Sequence, residues 1–200
     1  MNAFEYIVNK YKVDTSKPSP TFLPISRYTG FPELLKELGV KKGVELGVYK
    51  GKYTEVLMNM LPGLDLTAVD AWTAYAGYND YETTDLEVNA YNQAMSRAKK
   101  TGFTVMKDWS VPASQKFADE SLDFVFLDGN HDFAHCIEDL AAWSPKVKKG
   151  GIVSGHDFFK SNQLRYAVTY AVPAWCAYQK VPMLFVVNGD KIPSWFYVKT

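Results

Sequence analysis

The sequence predicts a single α/β domain with a doubly wound sheet, and three observations support this. Its 200 residues, of which 47% are hydrophobic, suit one core of ordinary size. Short apolar runs alternate with helical stripes along residues 40–172, which is typical of strand–helix units in a parallel sheet. Two more apolar runs, at 183–187 and 195–198, flank turn residues and indicate a final antiparallel pair. We therefore expect seven strands, the last one reversed, with helices on both faces.

The N-terminal residues 1–30 are predicted to form an arm or lid that leads into a catalytic core at 40–200. Within this segment, residues 14–30 lack a regular pattern. Proline forbids a continuous helix there at three positions, Pro18, Pro20 and Pro24.

The remaining elements follow in order along the chain. Apolar runs predict strands at 43–47, 64–70, 103–106, 122–127, 150–154, 183–187 and 195–198. Apolar residues spaced three and four apart predict helices at 31–38, 53–61, 84–100, 133–141 and 164–172. We expect Pro62, Pro145 and Pro173 to end the helices that precede them.

Charge and composition exclude several classes of protein. Lys plus Arg and Asp plus Glu both number 22, so no excess of one sign indicates binding to nucleic acid or to a membrane surface. No apolar run approaches the roughly 20 residues of a membrane span, and the N-terminus lacks a cleavable signal. The two cysteines, Cys136 and Cys176, are too few for a disulfide framework or a four-cysteine zinc site. We expect a soluble, cytoplasmic protein with reduced thiols.

The carboxyl end of the first core strand is a candidate ligand site, because ligands of doubly wound sheets bind at strand ends. Gly47 and Gly51 allow close approach of a ligand to the backbone just before a helix begins. Glu45 places a carboxylate inside the strand, where a ligand ammonium would satisfy it. The alternative is a tight strand–helix turn in which Glu45 pairs with backbone or lysine.

The second strand ends in Asp70. It follows Gly47 at about the 20-residue spacing at which nucleotide-binding sheets place an acid on ribose hydroxyls. Alternatively, Asp70 caps the next segment. A loop with three aromatic residues follows, namely Trp72, Tyr75 and Tyr78. We expect these residues either to stack on a base or cover a substrate, or to form a small aromatic core.

The third strand is followed by Asp108, Trp109 and Ser110. Asp108 or Ser110 is placed to hydrogen-bond an adenine, and Trp109 to cover its face.

Two of the three histidines lie just after the fourth and fifth strands, each beside an acid. The two groups supply Asp128 with His131 and His156 with Asp157, and neighbouring strand ends bring them together. Two carboxylates with imidazole form a ligand set for a divalent ion, in which imidazole favours Mn²⁺, Fe²⁺ or Zn²⁺ and oxygen favours Mg²⁺, Ca²⁺ or Mn²⁺. Alternatively, His131 is a general base, or the group is a hydrogen-bonded polar cap over the sheet.

The segments that carry these residues resemble class I S-adenosylmethionine-dependent methyltransferases. They are GVELGVYKGKYTEVL, LTAVDAW and LDFVFLDGNHDFAHCIEDLAAWSPKVKKGGIVSGHDF. The likeness covers residues 40–158 and is strongest in the small-molecule branch with D-G-x-H and G-H-D segments. It implies a Rossmann-like seven-stranded sheet with a reversed seventh strand.

The resemblance implies roles for the matched positions. Glu45 and the 47–51 turn would hold the methionine part of S-adenosylmethionine, Asp70 the ribose, and residues 108–110 the adenine. The implied cofactor residues are Glu45, Gly47, Tyr49, Gly51, Asp70, Ala71, Trp72, Asp108, Trp109, Ser110 and Asp128.

Related metal-dependent O-methyltransferases bind Mg²⁺ through carboxylates after the fourth and fifth strands. These match Asp128 and Asp157, whereas His156 departs from the usual carboxylate. The resemblance thus implies an Mg²⁺ or Mn²⁺ site at Asp128, His156 and Asp157, with His131 and Asp128 as catalytic residues.

We therefore expect an O-methyltransferase acting on a small hydroxylated molecule, such as a sugar or a natural-product intermediate, as a monomer or homodimer. Its substrate wall is expected around Arg27 and Tyr28, residues 72–81 and residues 158–162. The alternatives are a nicotinamide-dependent oxidoreductase and a noncatalytic nucleoside-binding module.

Overall fold

The computed structural model describes residues 1–73, 84–160 and 166–200, with residues 84 and 85 described by backbone only. Within them lie eight strands: β1 (Thr21–Leu23), β2 (Lys42–Leu46), β3 (Asp65–Asp70), β4 (Thr104–Lys107), β5 (Leu122–Leu127), β6 (Val147–Gly155), β7 (Phe185–Val187) and β8 (Ser194–Val198). The α-helices are α1 (Ala3–Tyr11), α2 (Gly30–Glu37), α3 (Lys52–Met60), α4 (Thr84–Thr101), α5 (Ser110–Ser114), α6 (Phe133–Trp143) and α7 (Val168–Tyr178).

All eight strands form one sheet in the order β1-β7-β8-β6-β5-β2-β3-β4. Strand β8 pairs antiparallel with both β6 and β7, and the other pairs are parallel. The doubly wound α/β sheet with a reversed last strand is therefore confirmed. The sheet has eight strands rather than seven, because β1 adds to the edge beside β7.

The N-terminal segment differs from the predicted arm or lid because part of it is regular structure in the domain. Helix α1 begins with a capping box, in which the Asn2 side chain accepts from the Glu5 amide and Glu5 accepts from the Asn2 amide. Ile7 on this helix is fully buried. The Asn-x-x-Glu spacing is the sequence signal for α1, whereas three residues between Pro20 and Pro24 give little signal for β1.

The predicted helix end at Pro173 is wrong, because α7 continues through this residue to Tyr178. Proline within a helix removes one hydrogen bond, here the bond that would reach the Thr169 carbonyl four residues earlier. The apolar face of α7 outweighs that loss, since Val172 and Trp175 on either side of the proline are buried. The beginning predicted at residue 164 lies outside the described residues.

Helices cover both faces of the sheet, as predicted. Alternate residues of β5 enter separate cores, with Phe124 and Phe126 on one side and Val125 and Leu127 on the other. Helices α1 to α4 contribute to the first core, and α5 to α7 to the second. Among the described residues, no helix is long and apolar enough to cross a membrane.

Strand register brings the candidate functional residues to one edge. Leu46 of β2 pairs with both Val69 of β3 and Leu127 of β5, while Leu127 also pairs with Gly155 of β6. The strands therefore end level with one another. The chain reverses its winding between β2 and β5, which is where doubly wound sheets form a ligand crevice.

Candidate functional site

A cavity of about 230 Å³ opens at the ends of β2 to β5. Six of the predicted cofactor residues line it, namely Gly47, Asp70, Ala71, Asp108, Trp109 and Ser110. Seven lining residues were not predicted as cofactor contacts: Leu46, Val69, Thr73, Gly129, Asn130, His135 and Asp139. The other predicted cofactor residues, Glu45, Tyr49, Gly51, Trp72 and Asp128, lie outside this lining.

Asp70 ties together the loops that follow β2 and β3. Its Oδ2 accepts the Tyr49 amide at 2.8 Å, and its Oδ1 accepts the Trp72 amide at 2.8 Å. The indole Nε1 of Trp72 donates back to the Tyr49 carbonyl at 2.8 Å. Asp70 thus holds the loops and also faces the cavity.

Trp72 lies in a small aromatic core. This is the second of the two interpretations given above, the first being a surface on which a ligand stacks. It is 1% exposed, and its ring meets Tyr91 edge-on at a centroid distance of 5.1 Å. Tyr75 and Tyr78 lie outside the described residues.

Gly47 brings the ends of β2 and β5 close together. A Cβ atom at this position would lie 1.8 Å from the Asp128 carbonyl oxygen, and φ is +75°. Steric exclusion and backbone conformation therefore both require glycine. Gly51 also has positive φ and directly precedes α3.

Glu45 is a buried carboxyl group with an unsatisfied oxygen. It is 1% exposed, and among the described residues no hydrogen-bond partner lies within reach of Oε2. Burial raises the pKa of this carboxyl to about 8. Such a group fits a ligand that brings its own cation or hydrogen-bond donor.

Asp128, His131 and Asp157 form a compact group beside the cavity, referred to below as the carboxylate–histidine cluster. One ligand atom from each side chain lies within 4.8 Å of those of the other two. His131 Nε2 is 3.1 Å from Asp157 Oδ2. Two carboxylate oxygens and one imidazole nitrogen make a donor set suited to Mg²⁺ or Mn²⁺.

His156, which the resemblance implied as a metal ligand, is not one of these three residues. It is 9% exposed, and its Nδ1 lies 2.9 Å from Ser194 Oγ. Burial is the main cause that lowers its pKa to about 3, so the ring is neutral. Because His156 directly continues β6, its side chain enters the interior, whereas Asp157 occupies a turn with φ of 56°.

Arg27, which was predicted to lie in the substrate wall, reaches the carboxylate–histidine cluster from the N-terminal segment. Its Nη1 lies 3.6 Å from Asp128 Oδ2, and its Cζ lies 5.1 Å from the centre of the Tyr53 ring. Asp190 holds the backbone here by accepting the Arg27 amide at 2.6 Å and the Ser26 hydroxyl at 2.8 Å.

Sequence reasoning missed Asp139, a carboxyl group in the cavity wall. It is 8% exposed, and burial raises its pKa to about 6. The only sequence signal is its position among Cys136, Leu140 and Trp143, which places an acid on the inward stripe of α6.

Comparisons with known proteins bear on the family and the fold. A family model described as a methyltransferase domain matches residues 44–158. No curated protein matches the chain in sequence.

Two solved structures illustrate the likeness in fold. A Bacillus cereus O-methyltransferase in complex with S-adenosylhomocysteine is 15% identical, with a TM-score of 0.64 over 98% of this chain and 90% of that one. A Staphylococcus aureus protein named as a caffeoyl-CoA O-methyltransferase is 13% identical, with a TM-score of 0.63 over 96% of this chain and 91% of that one.

Proposed function

The chain belongs to the methyltransferase-domain family, and we propose that it transfers a methyl group from S-adenosylmethionine to a hydroxyl of a small molecule. The observation that carries the proposal is the meeting of two sites at one sheet edge. A nucleoside-sized cavity containing Asp70 adjoins the carboxylate–histidine cluster.

The residues present suit S-adenosylmethionine. Asp70 presents a carboxylate to the cavity where the ribose hydroxyls would donate. Trp109 and Ser110 line the cavity where the adenine would lie. Glu45, with its unsatisfied buried oxygen, suits the ammonium group of the methionine part.

The cofactor supplies a methyl group already activated on a sulfonium. The chain therefore has to align the acceptor hydroxyl with that methyl group and keep water away. The short β2–α3 turn and the backbone contact at Gly47 fix one side of this arrangement. Arg27 lies beside Asp128 and donates a hydrogen bond to the Tyr28 hydroxyl, so these two residues are candidates to contact the acceptor.

An acceptor hydroxyl is a poor nucleophile until its proton is lost. Asp128, His131 and Asp157 would hold Mg²⁺ or Mn²⁺, and such an ion lowers the pKa of a hydroxyl bound to it. Without an ion, His131 Nε2–H would donate to Asp157 Oδ2 at 3.1 Å. This leaves Nδ1 to accept the proton, and Asp157 would stabilise the resulting imidazolium.

Isothermal titration calorimetry with S-adenosylhomocysteine and with NAD tests the proposal. We expect S-adenosylhomocysteine to bind and NAD not to bind. Binding of NAD alone would instead support the nicotinamide-dependent oxidoreductase and overturn the methyltransferase proposal.

A further inference from the structure

Asp139 is a buried acid in the cavity wall that the proposed chemistry does not use. It projects from α6 toward the ends of β4 and β5, and it lines the same cavity as Asp70. A buried carboxylate is costly unless its oxygens receive hydrogen bonds. The hydrogen bonds that Asp139 receives within the protein therefore indicate which of its oxygens is left for a ligand donor.

One oxygen of Asp139 is engaged within the protein. Its Oδ1 accepts the hydroxyl of Ser110, and Ser110 Oγ accepts the indole N–H of Trp143 at 3.0 Å. This chain of hydrogen bonds fixes the carboxylate plane between α5 and α6.

The other oxygen lies beside Gly129 in the cavity wall. If Gly129 carried a Cβ, that atom would be 3.5 Å from Asp139 Oδ2, with no other contact within 4 Å among the described residues. Gly129 and Asp139 both line the cavity, so the missing side chain at Gly129 leaves space for a ligand beside Oδ2. The wall presents a fixed acceptor oxygen that suits a donor N–H of a bound ligand.

Asp108, which the sequence predicted as an adenine contact, is already occupied on both oxygens. Its Oδ2 pairs with Lys116 Nζ at 2.7 Å, and its Oδ1 accepts the Trp109 amide at 2.8 Å. The Lys116 ammonium already balances the negative charge of Asp108, so we expect Asp108 to attract a base N–H less strongly than Asp139 does.

We propose that Asp139, rather than Asp108, accepts the exocyclic amino group of the cofactor's adenine and so makes the cavity selective for 6-aminopurine nucleosides. The inference rests on the proposed function, because it takes S-adenosylmethionine as the ligand. Asp70 holds the ribose end of the nucleoside and Asp139 the base end. A 6-oxopurine would instead present its oxygen to a carboxylate, which repels it.

The test compares S-adenosylhomocysteine with S-inosylhomocysteine, which differs by carrying a 6-oxo group. Calorimetric Kd values for both are measured at pH 7.5 with the wild-type protein, Asp139→Asn and Asp108→Asn. We expect the wild type to prefer the adenine compound by about 10- to 100-fold, the range for a hydrogen bond to a charged group. Asp139→Asn should reduce this preference to within a few-fold, because an amide can donate to the 6-oxo group. Asp108→Asn should keep the wild-type preference for the adenine compound.

A second variant covers the case in which Asp139→Asn does not fold. Gly129→Ala places a methyl group against Asp139 Oδ2 at an ordinary contact distance. We therefore expect this variant to bind S-adenosylhomocysteine more weakly and to prefer it less over S-inosylhomocysteine. If both variants fold and keep the wild-type preference, or if Asp108→Asn loses it, the inference is overturned. A wild type that binds both compounds equally overturns the inference alone, whereas one that binds neither overturns the proposed function as well.

Discussion

His131 Nε2 lies 3.1 Å from Asp157 Oδ2, although the two residues follow different strands of the sheet. The contact joins the loops after β5 and β6 at the point where Asp128 also presents its carboxylate. In the proposed function, proton transfer from an acceptor hydroxyl and binding of a divalent ion would both depend on this pair. Its disruption is therefore the most direct test of a catalytic role.

Asp157→Asn should lower kcat by about 100-fold or more, because removing a general base or its partner typically costs that much. The Kd of S-adenosylhomocysteine should stay within a few-fold of wild type, since Asp157 is outside the cavity lining. Steady-state kinetics and calorimetry measure the two quantities. Asp119→Asn, which removes an exposed partner of Lys146, is the matched control. A kcat in Asp157→Asn equal to that of wild type would contradict a catalytic role for the His131–Asp157 pair.

The metal site is predicted to depend on His131 and not on His156. Titration with Mn²⁺, followed by electron paramagnetic resonance, should show one ion bound to wild type and a Kd at least tenfold weaker for His131→Ala. His156→Ala should keep the ion but lose about 1–3 kcal/mol of stability, because the buried Ser194 hydroxyl loses its partner. Chelation should also lower turnover, and Mg²⁺ or Mn²⁺ should restore it. Equal Mn²⁺ affinity in His131→Ala and wild type would remove His131 from the ligand set.

Glu45 is predicted to make the ligand-free protein less stable as pH rises. Burial raises its folded-state pKa from 4.5 to about 8, so the unfolded chain releases its proton first. Stability is then lost between about pH 4.5 and 8, at up to about 1.4 kcal/mol per pH unit from this group. Urea unfolding from pH 5 to 9 should therefore show Glu45→Gln gaining on wild type as pH rises. A constant difference between the two proteins across this range would contradict a raised pKa.

Asp190→Asn should loosen the segment that carries Arg27. The substitution weakens acceptance from the Ser26 hydroxyl and the Arg27 amide, at a cost of about 1–2 kcal/mol. Hydrogen exchange at the Arg27 amide should accelerate, while exchange in β2 and β5 should not. Asp14→Asn provides the control, because Asp14 makes similar contacts with Ser16 at an exposed turn. Unchanged protection of the Arg27 amide in Asp190→Asn would show that Asp190 does not anchor the segment.

The central strands and their helices were predictable because each has one dominant signal. Apart from Asp123, residues 122–127 are apolar, and they form β5 with those same limits. Strand β1 near the start of the chain was not predictable. It has three residues in a segment with three prolines, and it is stabilised by pairing with β7. The helix end predicted at Pro173 was wrong for a related reason. Burial of the apolar face of α7 outweighs the one hydrogen bond that proline removes.

The site was predictable as far as chain position determines it. Asp70, Asp108 and Ser110 follow strands and do line one cavity. The direction of a side chain could not be predicted from the sequence. The two histidines differ in this respect, because His131 faces Asp157 and His156 faces Ser194. Asp139 was not predicted because its place in the cavity wall depends on which face of α6 meets the sheet.

The absence of a side chain at Gly47 has a consequence for redesigning this enzyme. The cofactor turn rests against the backbone of Asp128, so a bulkier residue there would push both loops apart at once. If Arg27 and Tyr28 form the proposed acceptor wall, substitutions there would alter acceptor scope and leave the contact between Gly47 and Asp128 intact.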